Sequence, residues 1–178
     1  MTAQNRRRRI VREIDNSEGV VDTFSKDGVA VVDNFLTPEG LEGLREFVKG
    51  STIFTRAYIQ GYLGAFLSDG FGASPVVQQL ADELRTVVFP ELLGENAQLR
   101  QAWAYIYARN DDRNESSSHP RGIDAHADDA DVSVNVWITE DEANLNKETG
   151  GLVIYEPIQP KNWTFEQANQ DSVAIYDY

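Results

Sequence analysis

Apolar positions follow two rhythms along this chain. Through the first half they recur every three or four residues, the period of amphipathic helices. Val20, Val21 and Phe24 share one face of a helix predicted over residues 17–26. Thr37-Pro38-Glu39 is a helix start, with threonine as cap and proline in the first turn. Leu41, Leu44, Phe47 and Val48 then line one side. Ser74-Pro75 opens a further helix whose Val76, Val77, Leu80, Leu84, Val87 and Val88 form a stripe, and Pro90 ends or breaks it. Between these helices, the β-branched run at residues 29–35 predicts a strand. Residues 53–66, rich in aromatics and interrupted by Gly61 and Gly64, predict strand and loop.

From residue 99 the period shortens to two. Residues 99–109 alternate, with Trp103, Tyr105 and Tyr107 on one side. Val132, Val134, Val136 and Ile138 alternate with Ser133, Asn135, Trp137 and Thr139, the pattern of a strand with two unlike faces. Residues 152–155 and 172–178 predict further strands, and residues 163–169 a helical turn. Polar loops separate these elements at residues 110–121 and 140–149. Helices first and strands second predict an α+β protein, with the helices packed on one outer face of a sandwich or barrel.

Composition narrows the function classes. The 178 residues contain no cysteine, which excludes disulfides, thiolate metal sites and cysteine nucleophiles. Two histidines, His119 and His126, leave at most two imidazole ligands, so a metal site must draw on carboxylates. A net charge of −13 disfavours nucleic acid and anionic membrane as partners. No apolar run is long enough to span a bilayer, and the basic N-terminus leads into no apolar segment of the secretory kind. A soluble, cytoplasmic protein is expected. Arg6, Arg7, Arg8, Arg9 and Arg12 give the first twelve residues a local positive charge. Residues 1–16 are expected as a solvated basic tail, and residues 17–178 as a single domain.

The sharpest chemical feature is His126-Ala127-Asp128. Alternate residues of a strand point the same way, so an imidazole and a carboxylate would project together and chelate one ion. Such an N,O pair suits iron(II), manganese or zinc. A calcium loop built from Asp124, Asp128, Asp129 and Asp131 is the weaker alternative, because the central glycine and terminal glutamate of an EF-hand loop are missing. Arg109, Arg113 and Arg121 flank the motif in or beside the polar loop and would suit an anionic substrate under a lid.

The run Gly122-Ile123-Asp124-Ala125-His126-Ala127-Asp128, the alternating stretch after it, Asn144-Leu145 and Thr149-Gly150-Gly151-Leu152 resemble the iron(II)- and 2-oxoglutarate-dependent oxygenases. Residues 28–36 are similar to the opening segment of that superfamily. The resemblance implies a double-stranded β-helix, or jelly roll, from about residue 98. It also implies a dioxygenase that takes iron(II) as cofactor and 2-oxoglutarate and molecular oxygen as co-substrates to oxidise a C–H bond of a small-molecule or peptide substrate. It makes His126 and Asp128 the first histidine and the carboxylate of the metal triad, and offers Tyr105, Tyr107 and Asn135 as contacts to 2-oxoglutarate, with Trp137 lining the pocket.

The chain departs from the family pattern in one respect. The pattern needs a second histidine and a basic residue well downstream, but no histidine follows His126, and Lys161 is the only basic residue after Lys147. Four or five strand candidates stand where the jelly roll takes eight. The expectation is a C-terminally incomplete chain. The alternative is a non-catalytic jelly-roll binding protein that has lost its metal.

Overall fold

Asn16 opens the first helix. Its side-chain oxygen accepts the Gly19 N–H at 3.1 Å and caps α1 (Ser17–Asp27). Gly28, at φ 74°, closes the helix by returning its own N–H to the Phe24 carbonyl. Thr37 caps α2 (Pro38–Gly50) through the Gly40 N–H at 3.0 Å, with Pro38 in the first turn. The helix α3 (Pro75–Glu83) also starts on a proline. Beyond Glu83 the turns widen into a π-helical stretch, Leu84–Val88, and the Phe89 N–H reaches back five residues to Leu84. Pro90 stops that helix, as its missing N–H dictates, and then begins the short α4 (Pro90–Leu93).

In the computed structural model, the described residues are 8–58, 61–94, 96–107, 126–144, 147, 151–154, 164, 166 and 169. Three strands, β1 (Arg56–Ala57), β2 (Tyr62–Phe66) and β3 (Trp103–Tyr107), make one sheet in the order β1-β2-β3. β1 pairs antiparallel with β2, Arg56 facing Gly64 and Ala57 facing Leu63. The fold is α+β. Contacts divide the chain into two compact units, residues 1–57 with 63–106, and residues 58–62 with 107–178.

Among the described residues, the first unit holds most of the buried apolar side chains: Leu36, Leu44, Phe54, Ala65, Phe71, Val77 and Val88, joined by Ile10 and Val11. The last two depart from the solvated tail expected over residues 1–16, of which residues 8–16 are described. Val11 is only 2% exposed and bridges Leu36. Thr37 N–H donates to the Ile10 carbonyl, and Arg12 N–H to the Phe35 carbonyl. The Glu83 carboxylate, buried, accepts the backbone N–H groups of Ile10 (3.0 Å) and Val11 (2.9 Å). Gln79 donates both to Glu83 (2.7 Å) and to the Arg8 carbonyl (2.8 Å). Two consecutive buried amides thus find their acceptors on α3 rather than in a ladder.

Gly40 makes the docking possible. A Cβ there would overlap the carbonyl oxygen, Cα and Cβ of Ile10, and backbone atoms cannot swing aside. Gly40→Ala is expected to destabilise the first unit by about 2 kcal/mol, in the range of overpacked cores. Urea unfolding followed by circular dichroism checks this; an unchanged midpoint would mean the segment sits elsewhere in solution.

Three strand expectations change. Residues 29–35 form no strand: Val31 is 84% exposed and Asn34 turns the chain at φ 51°, and the isolated bridge to Val11 falls one residue beyond the run, at Leu36. Residues 132–138 and 152–154 are also described without strand. Val132, Val136 and Ile138 keep their alternating partial burial, but Val134, Trp137, Leu152, Val153 and Ile154 are exposed. The alternation is in the sequence. The covering layer that would turn it into a buried sheet is not found among the described residues.

In the first unit, Arg56 lies over the Phe66 ring, 4.6 Å from its centroid, and pairs with Asp69 at 2.7 Å. That hydrogen-bonded guanidinium holds the Asp69 carboxyl below its ordinary value of 3.8, against desolvation, which pulls the other way. A carboxyl lowered by folding stabilises above its unfolded value, and the gain is lost as pH falls through the folded one. Arg56→Ala is expected to return the Asp69 titration, followed by carboxyl-carbon NMR, towards 3.8. An unmoved midpoint would rule out Arg56 as the cause.

Candidate functional site

His126, Ala127 and Asp128 lie in the second unit, and the two functional side chains meet there. His126 Nε2 stands 3.6 Å from Asp128 Oδ1. That separation is too long for a hydrogen bond between them. Two bonds of about 2.1 Å to one ion, at angles between octahedral and tetrahedral, would place their donors about 3.0–3.4 Å apart. The observed spacing is a few tenths of an ångström wider. The His126 side chain is half exposed and that of Asp128 less so.

Two side chains absent from the sequence-based site complete the local geometry. Ser133 Oγ donates to Asp128 Oδ2 at 2.7 Å, occupying the oxygen that does not face His126. Asn169 pairs with the backbone of Ala127 through both ends of its amide: the Ala127 N–H donates to Oδ1 at 2.9 Å, and Nδ2 donates to the Ala127 carbonyl at 3.1 Å. Ser133 was visible as a polar position in the alternating stretch. Nothing local marks Asn169, which is 42 residues away in sequence.

Comparison with models of known families, with curated proteins and with solved structures gives no match. The site therefore stands on its own geometry.

The other residues assigned by resemblance are dispersed. Tyr105 belongs to the first unit, where its ring meets Phe66 edge-on at 6.2 Å. Tyr107 belongs to the second, at 5.3 Å from Tyr62, which stacks on Tyr58 at 4.6 Å. Partial desolvation raises the Tyr107 hydroxyl above its ordinary value of 10.0, although the residue is exposed. Asn135 and Trp137 are exposed on the polar side of the 132–138 stretch. His119, Arg109, Arg113, Arg121, Asp124, Leu145, Thr149, Gly150, Tyr155, Lys161, Trp163 and residues 172–178 lie outside the described residues.

As a metal centre, the arrangement is partial. His126 and Asp128 fit as one nitrogen and one oxygen donor to a common ion. Among the described residues no group of three histidine or acidic side chains comes together. A depression in the first unit, lined by Gln78, Gln79, Asp82 and Glu83, offers no imidazole, and its Glu83 already serves the N-terminal segment. No helix among the described residues is long and apolar enough to cross a membrane.

Proposed function

We propose that the chain is a domain of an iron(II)- and 2-oxoglutarate-dependent dioxygenase, in which His126 and Asp128 are two of the protein ligands to iron. The observation that carries the reading is the 3.6 Å approach of His126 Nε2 to Asp128 Oδ1, with the second carboxylate oxygen held by Ser133. That spacing lets both atoms face one ion, and the remaining carboxylate oxygen has a partner in Ser133 that fixes the carboxylate plane. In this reading, β3 and the alternating residues 132–138 belong to a double-stranded β-helix. Tyr107 and Asn135, in the same unit as the pair, are the contacts to 2-oxoglutarate. Bound iron with 2-oxoglutarate supplies oxygen activation for attack on a substrate C–H bond. The protein's own part is to hold the ion by two donors and to orient them. The triad requires a third donor in addition.

The second reading is a jelly-roll binding module without catalysis. It is favoured by one observation, that the described residues bring two and not three metal-donor side chains together. Anaerobic addition of iron(II) and then 2-oxoglutarate separates the two. The dioxygenase reading expects a visible charge-transfer band that His126→Ala abolishes. A protein that gives no band with either ligand present belongs to the second reading.

A further inference from the structure

We infer that Asn169 is the positioning residue of the His126–Asp128 pair, acting through the peptide groups of Ala127; the inference rests on the metal-binding reading above. An amide that bonds the N–H and the C=O of one residue requires both groups to point the same way, which is the arrangement of an extended residue in an antiparallel pair. Asn169 therefore does for Ala127 what a neighbouring strand would do, in a stretch described without strand. The geometry also fixes which end of the amide is oxygen, because the N–H needs an acceptor and the carbonyl a donor.

The position of the clamp matters for the chemistry. In an extended chain the backbone groups lie in the plane of the strand, and side chains stand out of that plane on alternate faces. A partner in the plane holds Ala127 without occupying the face on which its two neighbours project. His126 and Asp128 are then presented together, consistent with their 3.6 Å approach. Ser133 orients the carboxylate, whereas Asn169 orients the backbone that carries both donors.

The test uses the full chain, with Asn169→Ala and Asn169→Asp beside His126→Ala. Asn169→Asp keeps an acceptor for the Ala127 N–H, loses the donor to the carbonyl, and guards against a failure of Asn169→Ala to fold. Metal-free protein is read first, by amide exchange at Ala127 and by the nuclear Overhauser contact between the His126 ring and the Asp128 methylene. Manganese(II) alone is then titrated, followed by the electron paramagnetic resonance of the free ion. Asn169→Ala is expected to speed Ala127 exchange about tenfold, weaken the Overhauser contact and lower manganese affinity about tenfold. Asn169→Asp should retain more Ala127 protection than Asn169→Ala. Wild-type exchange and wild-type affinity in both variants would overturn the inference. So would lost protection with an unchanged Overhauser contact and unchanged affinity, since the clamp would then position nothing. If wild type and His126→Ala bind manganese equally poorly, the metal reading fails on its own. The clamp is then decided on metal-free protein: it stands if exchange and the Overhauser contact both change, and falls if either stays at its wild-type value.

Discussion

Glu83→Ala is expected to lower stability by about 3 kcal/mol and the midpoint of thermal unfolding by about 6–12 °C. The Glu83 carboxylate is buried and takes the backbone N–H groups of Ile10 and Val11. Truncation strands two buried donors, each costing about 1–3 kcal/mol. It also strips Gln79 of its 2.7 Å acceptor. Part of that loss is offset because a buried carboxylate no longer has to be desolvated. Glu83→Gln retains one oxygen acceptor and should lose less. Asp82→Ala is the matched control one position earlier: its 3.0 Å pair with Arg85 is exposed, and such pairs contribute about 0–1 kcal/mol. Equal effects at the two positions would show that the N-terminal segment is not held through Glu83.

The second large effect concerns the metal. His126→Ala is expected to weaken iron(II) binding by at least about a hundredfold. Partners behind a metal ligand already cost about 10–100-fold when lost, and a direct donor contributes more. Asp128→Ala should match it. Ser133→Ala, which frees the outer carboxylate oxygen without removing a ligand, should cost about tenfold. Calorimetric titration under argon distinguishes the three. If Ser133→Ala equals His126→Ala, the variants are disturbing the fold and not the coordination. If none differs from wild type, the ion binds elsewhere.

The helices were legible because their signals are local. Asn16, Thr37 and the prolines at positions 38 and 75 set starts within a residue or two, and apolar spacing chose the inner faces. Strands depend on what lies beside them. The run at 29–35 has the right residues but turns outward at Asn34, and the alternating stretch at 132–138 is described without a strand. The same distinction divides the site. The His126–Asp128 pairing is an i, i+2 relation and could be read directly, whereas Ser133 showed only as a polar position of the alternating stretch. The amide of Asn169 and the carboxylate of Glu83 act across 42 and 72–73 residues, and no pattern along the chain announces such a meeting.

The Glu83 contact also sets an order of events in time. The segment carrying Ile10 and Val11 leaves the ribosome before its acceptor, which is made 73 residues after Ile10. At translation rates of about 5–20 residues per second, that is a wait of roughly 4–15 seconds. For that interval two apolar side chains that are buried in the finished unit stay exposed, directly behind a run of four arginines. A segment made early therefore waits for a partner made late. A slow stretch of codons before residue 83 would lengthen its exposure without altering one atom of the folded protein.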